Sequence, residues 1–328
     1  LEQKLKILIL VRQFWLDFPK HKPKIDMLRA IEEFAEVHYW HEDGNIHEIL
    51  GALQWRPDFI FHYDIAWDNG LAPAITGLAD IDIPKACFVI DLHFSKAERM
   101  IYFEKNKIDL IFSVSKNPFL YVFPQYRNKL CWLPWSINPD VIKDWNMEKE
   151  IDYLLMGLMY YEDKQRPPKQ ITTKGWYAFR ESVLHTMKNV PGFVFHPHPG
   201  HKVEYSEEMY INEKYARELN RAKIFFTCGS RNPGGGFAVL KYFEALGCNT
   251  LLLAEPNQEI AELGFQDGVH YVACNTNEIY EKALYYVNNE EQRNQIARNG
   301  YDFIHQNHTN EIRAKQFVTY LTNYLNKI

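Results

Sequence analysis

Gly234, Gly235 and Gly236, followed further on by Glu244, are residue types that can hold a phosphate and a sugar. If Phe237–Leu246 is a helix, the loop Gly229–Gly236 opens straight into it and leaves backbone N–H groups uncovered at its positive end, a geometry that suits a diphosphate. Glu244 then lies about two turns on, where a carboxylate accepts both hydroxyls of a ribose. The competing reading is a turn whose glycines only let strand and helix pack closely. A second candidate pair is His93 with Asp91, after the apolar run PKACFVID. Alternate residues of an extended chain point the same way, so the two can face one ligand and exchange a proton with it. The competing reading is a hydrogen-bonded histidine in a strand-to-helix turn. His196, His198 and His201 form a third group, stiffened by Pro197 and Pro199. No cysteine or carboxylate stands at a familiar zinc spacing, so a zinc site is not supported. His198 on a nucleotide base or diphosphate and a structural turn remain open.

These side chains need strands ending at one edge. Lys4–Val11, Glu36–Tyr39, Pro57–Tyr63, Pro84–Asp91, Ile108–Val114 and Cys131–Trp135 read as strands, with helices at Met27–Phe34 and Ile46–Leu53 and a glycine-interrupted helical segment at Ala66–Leu78. Arg12, Phe14 and Trp15 emerge after the first strand, where open α/β sheets bind ligands, and are acceptor-site candidates. The polar run DWNMEKE (144–150) places a linker, so the chain divides into residues 1–145 and 146–328. The second part repeats the pattern: strands Ile151–Leu158, Phe193–Phe195, Lys223–Thr227 and Thr250–Ala254, and helices Phe179–Lys188, Ile279–Val287, Glu290–Gly300 and Glu311–Leu325. Asn275 and Glu278 form a capping box. Between Met159 and Lys174 lies a long charged loop whose Arg166, Lys169 and Lys174 are phosphate-clamp candidates against the plainer reading of solvated cations. The Asp80-Ile81-Asp82 triplet, though it looks like a metal motif, lies in a polar surface loop before Pro84.

A chain of 328 residues with 46% hydrophobic content is long enough for two domains of ordinary size. Its net charge of −5, with signs interspersed, argues against a nucleic-acid partner. The lysines at 20, 22 and 24 can attract an anionic acceptor or a membrane surface, or simply line a solvated loop. The five cysteines show no C-x-x-C spacing, which suggests reduced thiols in a cytoplasmic protein rather than disulfides or zinc. No run approaches 18 apolar residues, so neither a signal peptide nor a membrane span is expected, while peripheral membrane association stays open.

The pieces LNRAKIFF (219–226), the glycine loop, KYFEALGCNTLLLAE (241–255), FQDGVHYV (265–272) and residues 289–314 together resemble the C-terminal half of GT-B glycosyltransferases, within the group-1 transferases of the spore-maturation CgeB-like type. The resemblance implies an α/β fold of two Rossmann-like domains facing across a cleft, an N-terminal acceptor domain and a C-terminal donor domain, with the last helix packing back on the first domain. It implies a hexosyltransferase reaction without a metal, from a nucleotide-sugar donor, a UDP-sugar before a GDP-sugar, to a carbohydrate, glycan or small-molecule acceptor, with no cofactor. Donor contacts would come from Gly157, His198, Arg231, Gly234, Gly235, Gly236 and Glu244, and catalytic or sugar contacts from His93 and Asp91. One departure is Gly236, which stands where many retaining members carry a first glutamate, so the stereochemical course is not carried over. A sugar-nucleotide epimerase on the same fold and a non-catalytic nucleotide-sugar-binding protein are the alternatives. A dinucleotide dehydrogenase is disfavoured, since no G-x-G-x-x-G follows the first strand.

Overall fold

The computed structural model describes residues 4–64, 70–165, 170–200, 205–229 and 236–327. Its strands are β1 (Lys6–Leu10), β2 (Glu36–Trp40), β3 (Gly44–Asn45), β4 (Phe59–His62), β5 (Ile75–Thr76), β6 (Lys85–Val89), β7 (Leu110–Ser113) and β8 (Leu130–Trp132) in the first half. β9 (Ile151–Gly157), β10 (Phe193–Pro197), β11 (Ala222–Thr227), β12 (Leu251–Ala254) and β13 (Val272–Ala273) follow in the second. The helices are α1 (Phe14–Asp17), α2 (Lys22–Ala30), α3 (Ile46–Leu53), α4 (Lys96–Lys105), α5 (Asn117–Val122), α6 (Ala178–Met187), α7 (Asn212–Arg221), α8 (Lys241–Gly247), α9 (Gln258–Glu262), α10 (Ile279–Asn288), α11 (Glu290–Asn307) and α12 (Asn310–Leu325).

The first sheet is parallel, in the order β2-β1-β4-β6-β7-β8, with β3 and β5 paired beside it. The second is parallel, in the order β10-β9-β11-β12-β13. Near-continuous apolar runs such as KILIL, FIFH and LIFS are buried on both faces, as parallel strands covered by helices require. In each sheet the chain goes first to one side and then to the other, which opens a crevice at the carboxyl ends of β1 and β4 and again at those of β9 and β11.

The last helix belongs to the first sheet's core. Phe317 and Leu321 on α12 are fully buried, and the Phe317 ring lies 4.8 Å from Phe61 and 4.7 Å from Phe112. The chain therefore crosses between the halves twice, and the crossings lie side by side. Ile137 N–H donates to His308 O (3.0 Å), Asn310 N–H to Ile137 O (2.8 Å), and Ser136 Oγ to Asn310 Oδ1 (2.7 Å).

The helix expected at Met27–Phe34 runs instead over Lys22–Ala30 and ends in a 3-10 turn at Ile31–Glu33, and two further elements differ more. From Gly70 onward the segment read as helical Ala66–Leu78 holds only β5 and a 3-10 turn at Leu78–Asp80, while 65–69 lie outside the described residues. Tertiary partners take its backbone groups, since Asp43 accepts from Ala74 N–H (2.6 Å) and Pro73 O faces His62 Nε2 (2.8 Å). The helix expected at Phe237 begins only at Lys241. Gly236 O accepts from Asn257 Nδ2 (2.7 Å) and Ala238 N–H donates to Glu259 (3.3 Å), which holds this stretch out of the helix. The glycine loop thus does not open directly into α8, and Glu244 sits in the first turn of α8.

Candidate active site

At the carboxyl ends of β9 and β11, Arg180 from α6 is 3% exposed and fixed by three hydrogen bonds, to Leu158 O (3.0 Å), Thr227 Oγ1 (3.1 Å) and Cys228 O (3.1 Å). Its guanidinium stacks on Tyr177 at 4.5 Å, and its Nε has no hydrogen-bond partner among the described residues. Gly157 makes room for it, because a Cβ there would lie 3.2 Å from Nη1. The glycine expected beside a phosphate therefore first admits an arginine to the edge of the sheet.

Glu244 faces this edge from α8 and is 8% exposed. Burial raises its pKa, opposed by Lys241, the Tyr215 hydroxyl and Lys20. Lys241 Nζ donates to Tyr215 Oη (3.1 Å), and burial lowers its pKa to about 8, with Glu244 working against that and Arg180 adding to it. Lys241, with Arg180 beside it, and, from the first half, the Lys20 amine thus gather near one buried carboxylate. Such a cluster is stabilised by a multiply charged anion.

His198 is buried at the same edge. Its Nδ1 accepts from Gly200 N–H (3.0 Å) and its Nε2 lies 2.5 Å from Lys20 Nζ, which also donates to Gly200 O (3.0 Å). His196 does not share this side. It pairs with Glu218 (2.6 Å) and stacks on Tyr210 at 4.0 Å, so its role is to brace α7. His201, Arg166, Lys169, Arg231, Gly234 and Gly235 lie outside the described residues. Lys174 is exposed and sits over the Tyr160 ring at 5.8 Å.

On the first half, Arg99 forms a buried ion pair with Asp64 (2.8 Å) and donates to Asp91 O (2.5 Å), which fixes the turn that carries His93. β6 ends at Val89, so His93 and Asp91 stand in a turn and strand alternation does not orient them. Partial burial, the larger influence, lowers the His93 pKa, Asp91 is close enough to raise it, and Arg99 lowers it further. The exposed His93 ring lies 5.9 Å from Trp176 of the second half and so stands at the mouth of the cleft. The acceptor candidates after β1 separate. Arg12 pairs with Asp43 (2.6 Å), half-buried Trp15 packs on His41 at 6.0 Å, and Phe14, 3% exposed, stacks on Tyr63 at 6.0 Å inside the core. Phe14 therefore packs the domain and presents no face to an acceptor.

Sequence reading missed Arg180, Lys241 and Tyr215, and left Lys20 among three alike lysines. No local motif marks Arg180. The one available signal was Gly157, whose missing side chain leaves space for another group. Among the described residues no three His, Cys, Asp or Glu side chains are grouped to hold a metal ion, and no helix is long and apolar enough to cross a membrane.

A family model described as glycosyl transferase-like matches residues 180–319. No curated protein matches by sequence. Among solved structures, the chain is similar to HepE from Anabaena in complex with UDP and glucose, at 10% identity over 97% of this chain and 100% of that one, with a TM-score of 0.59. It is similar to a glycosyltransferase from Rickettsia africae at 11% identity over 98% and 99%, TM-score 0.58. It is also similar to a protein from Listeria monocytogenes described as a UDP-N-acetylglucosamine 2-epimerase, at 13% identity over 99% and 98%, TM-score 0.52. The fold is GT-B: two α/β domains with parallel sheets facing across a cleft.

Proposed function

We propose that this chain is a glycosyltransferase that moves a hexose from a nucleotide-diphosphate sugar, a UDP-sugar first and a GDP-sugar second, to a carbohydrate, glycan or small-molecule acceptor. The observation that carries the reading is the buried Glu244 with Lys241 and Lys20 about it, and Arg180 beside Lys241, at the crevice of the second sheet. Glu244 accepts the ribose hydroxyls. Arg180, Lys241 and Arg231 offset the diphosphate together with the backbone of Gly157 and Gly234–Gly236, and His198 borders it. These cations do the work that a metal ion does in other transferases. The match over 180–319 and the HepE structure with UDP and glucose support the reading.

Residues 1–145 supply the acceptor side and residues 146–328 the donor side, as in the CgeB-like type. His93 stands with Asp91 between them. In the inverting course the acceptor oxygen attacks the anomeric carbon, the bond to the diphosphate breaks with its electron pair leaving on the diphosphate, and the acceptor proton passes to the His93 imidazole. In the retaining course the same two residues position the sugar. Arg12 and Trp15 border the acceptor approach. The five cysteines are buried and form no disulfide among themselves, which fits reaction in the cytoplasm.

The test is turnover of UDP-glucose and GDP-glucose, with sugar and nucleotide followed separately, alone and with a panel of glycans. A transferase releases nucleoside diphosphate slowly to water and faster with an acceptor. The Listeria neighbour favours epimerisation as the second reading; an epimerase alters the sugar with no acceptor present. A binding protein does neither, and absence of both reactions would defeat the proposal.

A further inference from the structure

Lys20 lies in the turn Pro19–His21 that leads into α2, a turn seated on the second half by Asn212 Nδ2 donating to Pro19 O (3.0 Å). Lys24 follows four residues later on the same side, near Asp91 and Asp64, whereas Lys22 turns away to pair with Asp26 at 2.6 Å. The hydrogen positions around Lys20 decide its charge. Gly200 N–H can only donate, so His198 Nδ1, which receives it, carries a lone pair and the ring proton sits on Nε2. An Nε2–H facing an ammonium at 2.5 Å would set two donors against each other with no acceptor between them. The contact is a hydrogen bond only if Lys20 is a neutral amine that accepts from Nε2–H and donates one of its own hydrogens to Gly200 O. The surroundings agree. Burial first, then Lys241 and Lys24, lower the Lys20 pKa well below the ordinary lysine range, and Glu244 opposes them. Arg180 adds positive charge beside Lys241.

We propose that Lys20 is the first half's arm of the donor site: it takes a proton from solvent and becomes an ammonium as the diphosphate of the sugar nucleotide enters, so that donor binding is linked to proton uptake and to the contact between the halves. The inference rests on the donor-site reading above. A diphosphate beside Lys20, Lys241 and Arg180 gives the ammonium an acceptor and releases it from the donor-to-donor conflict with His198. Lys20 is here a positioning residue, since it acts on the diphosphate and not on the bond that is exchanged.

Titration calorimetry of the full chain at pH 7, in buffers of different ionisation enthalpy, tests this with UDP-, GDP- and ADP-glucose. A diphosphate esterified at both ends does not itself titrate near neutrality, and Lys241, with its pKa at about 8, is then mostly charged. Wild type should take up roughly one proton per donor bound. Lys20→Met should bind about tenfold or more weakly, as for loss of a charge-assisted hydrogen bond, and take up none. Lys20→Arg should keep most of the affinity yet take up no proton, because a guanidinium stays protonated; a merely structural lysine would not separate these two readouts. Binding by wild type with no proton uptake, or unchanged uptake in Lys20→Arg, overturns the inference and leaves the donor site standing. Failure of all three nucleotide sugars to bind wild type removes the donor-site reading and this inference with it.

Discussion

His62, at the end of β4, is 2% exposed, with Nε2 facing Pro73 O (2.8 Å) and Nδ1 facing the Tyr102 hydroxyl (2.7 Å). Pro73 O can only accept, so Nε2 carries the proton and the neutral ring is fully satisfied. Burial lowers its pKa to about 4. The folded state therefore binds fewer protons than the unfolded one, and the stability this group gives is present above about pH 6.5 and is lost as pH falls toward 4. Between pH 7 and pH 5 that loss amounts to about 2 kcal/mol. Asp64 works in the opposite sense, because burial raises its pKa to about 6 and its contribution grows as pH falls through that value. The two are separated by comparing urea midpoints of wild type and His62→Gln at pH 7 and pH 5: the variant should lose less stability on acidification, and equal losses would contradict the assignment. None of this could be read from the sequence, where His62 is one of 13 histidines and nothing local marks it as buried.

Between the halves, the element that sets the geometry is α9. Glu259 is 1% exposed and accepts from Ser115 Oγ (2.9 Å), Lys116 N–H (2.6 Å) and Asn117 N–H (3.2 Å) at the start of α5, and from Ala238 N–H (3.3 Å). Glu262 adds Lys116 Nζ (2.8 Å) and Asn117 Nδ2 (2.9 Å). A carboxylate of one half thus caps a helix of the other and holds the strand-to-helix segment after the glycine loop, while Asn257 ties Gly236 into the same unit. Glu259→Ala strands several buried donors at once and should lower unfolding free energy by about 3 kcal/mol or more. Glu259→Gln, which keeps the acceptor oxygen, should cost less. Chemical denaturation measures both, and a neutral Glu259→Ala would contradict the latch. This element also explains the misplaced start of α8. Phe237–Leu240 has an apolar pattern that suits a helix, but hydrogen bonds from α9, distant in the chain, hold the backbone elsewhere. By contrast Ile46–Leu53 was legible to the residue, because the Asn45 cap and the apolar face are both local.

At the scale of the molecule, the alternation of apolar runs and amphipathic stretches was enough to predict two parallel sheets, and the apolar stripe of the last helix is local too. What the sequence could not show is which side chains meet across the cleft. Lys20 and Lys241 lie far apart in the chain and Arg180 carries no motif, yet the two lysines meet at Glu244 and Arg180 stands beside Lys241, in a protein whose net charge is negative. The proposed donor site stands on this convergence, and thermal unfolding of wild type and Glu244→Ala with UDP-, GDP- and ADP-glucose tests it. One nucleotide class should stabilise wild type, by about 2.7 kcal/mol at 100 times its dissociation constant, and Glu244→Ala should fold but lose the response. An equal response in Glu244→Ala, or none in wild type at millimolar concentration, would contradict it.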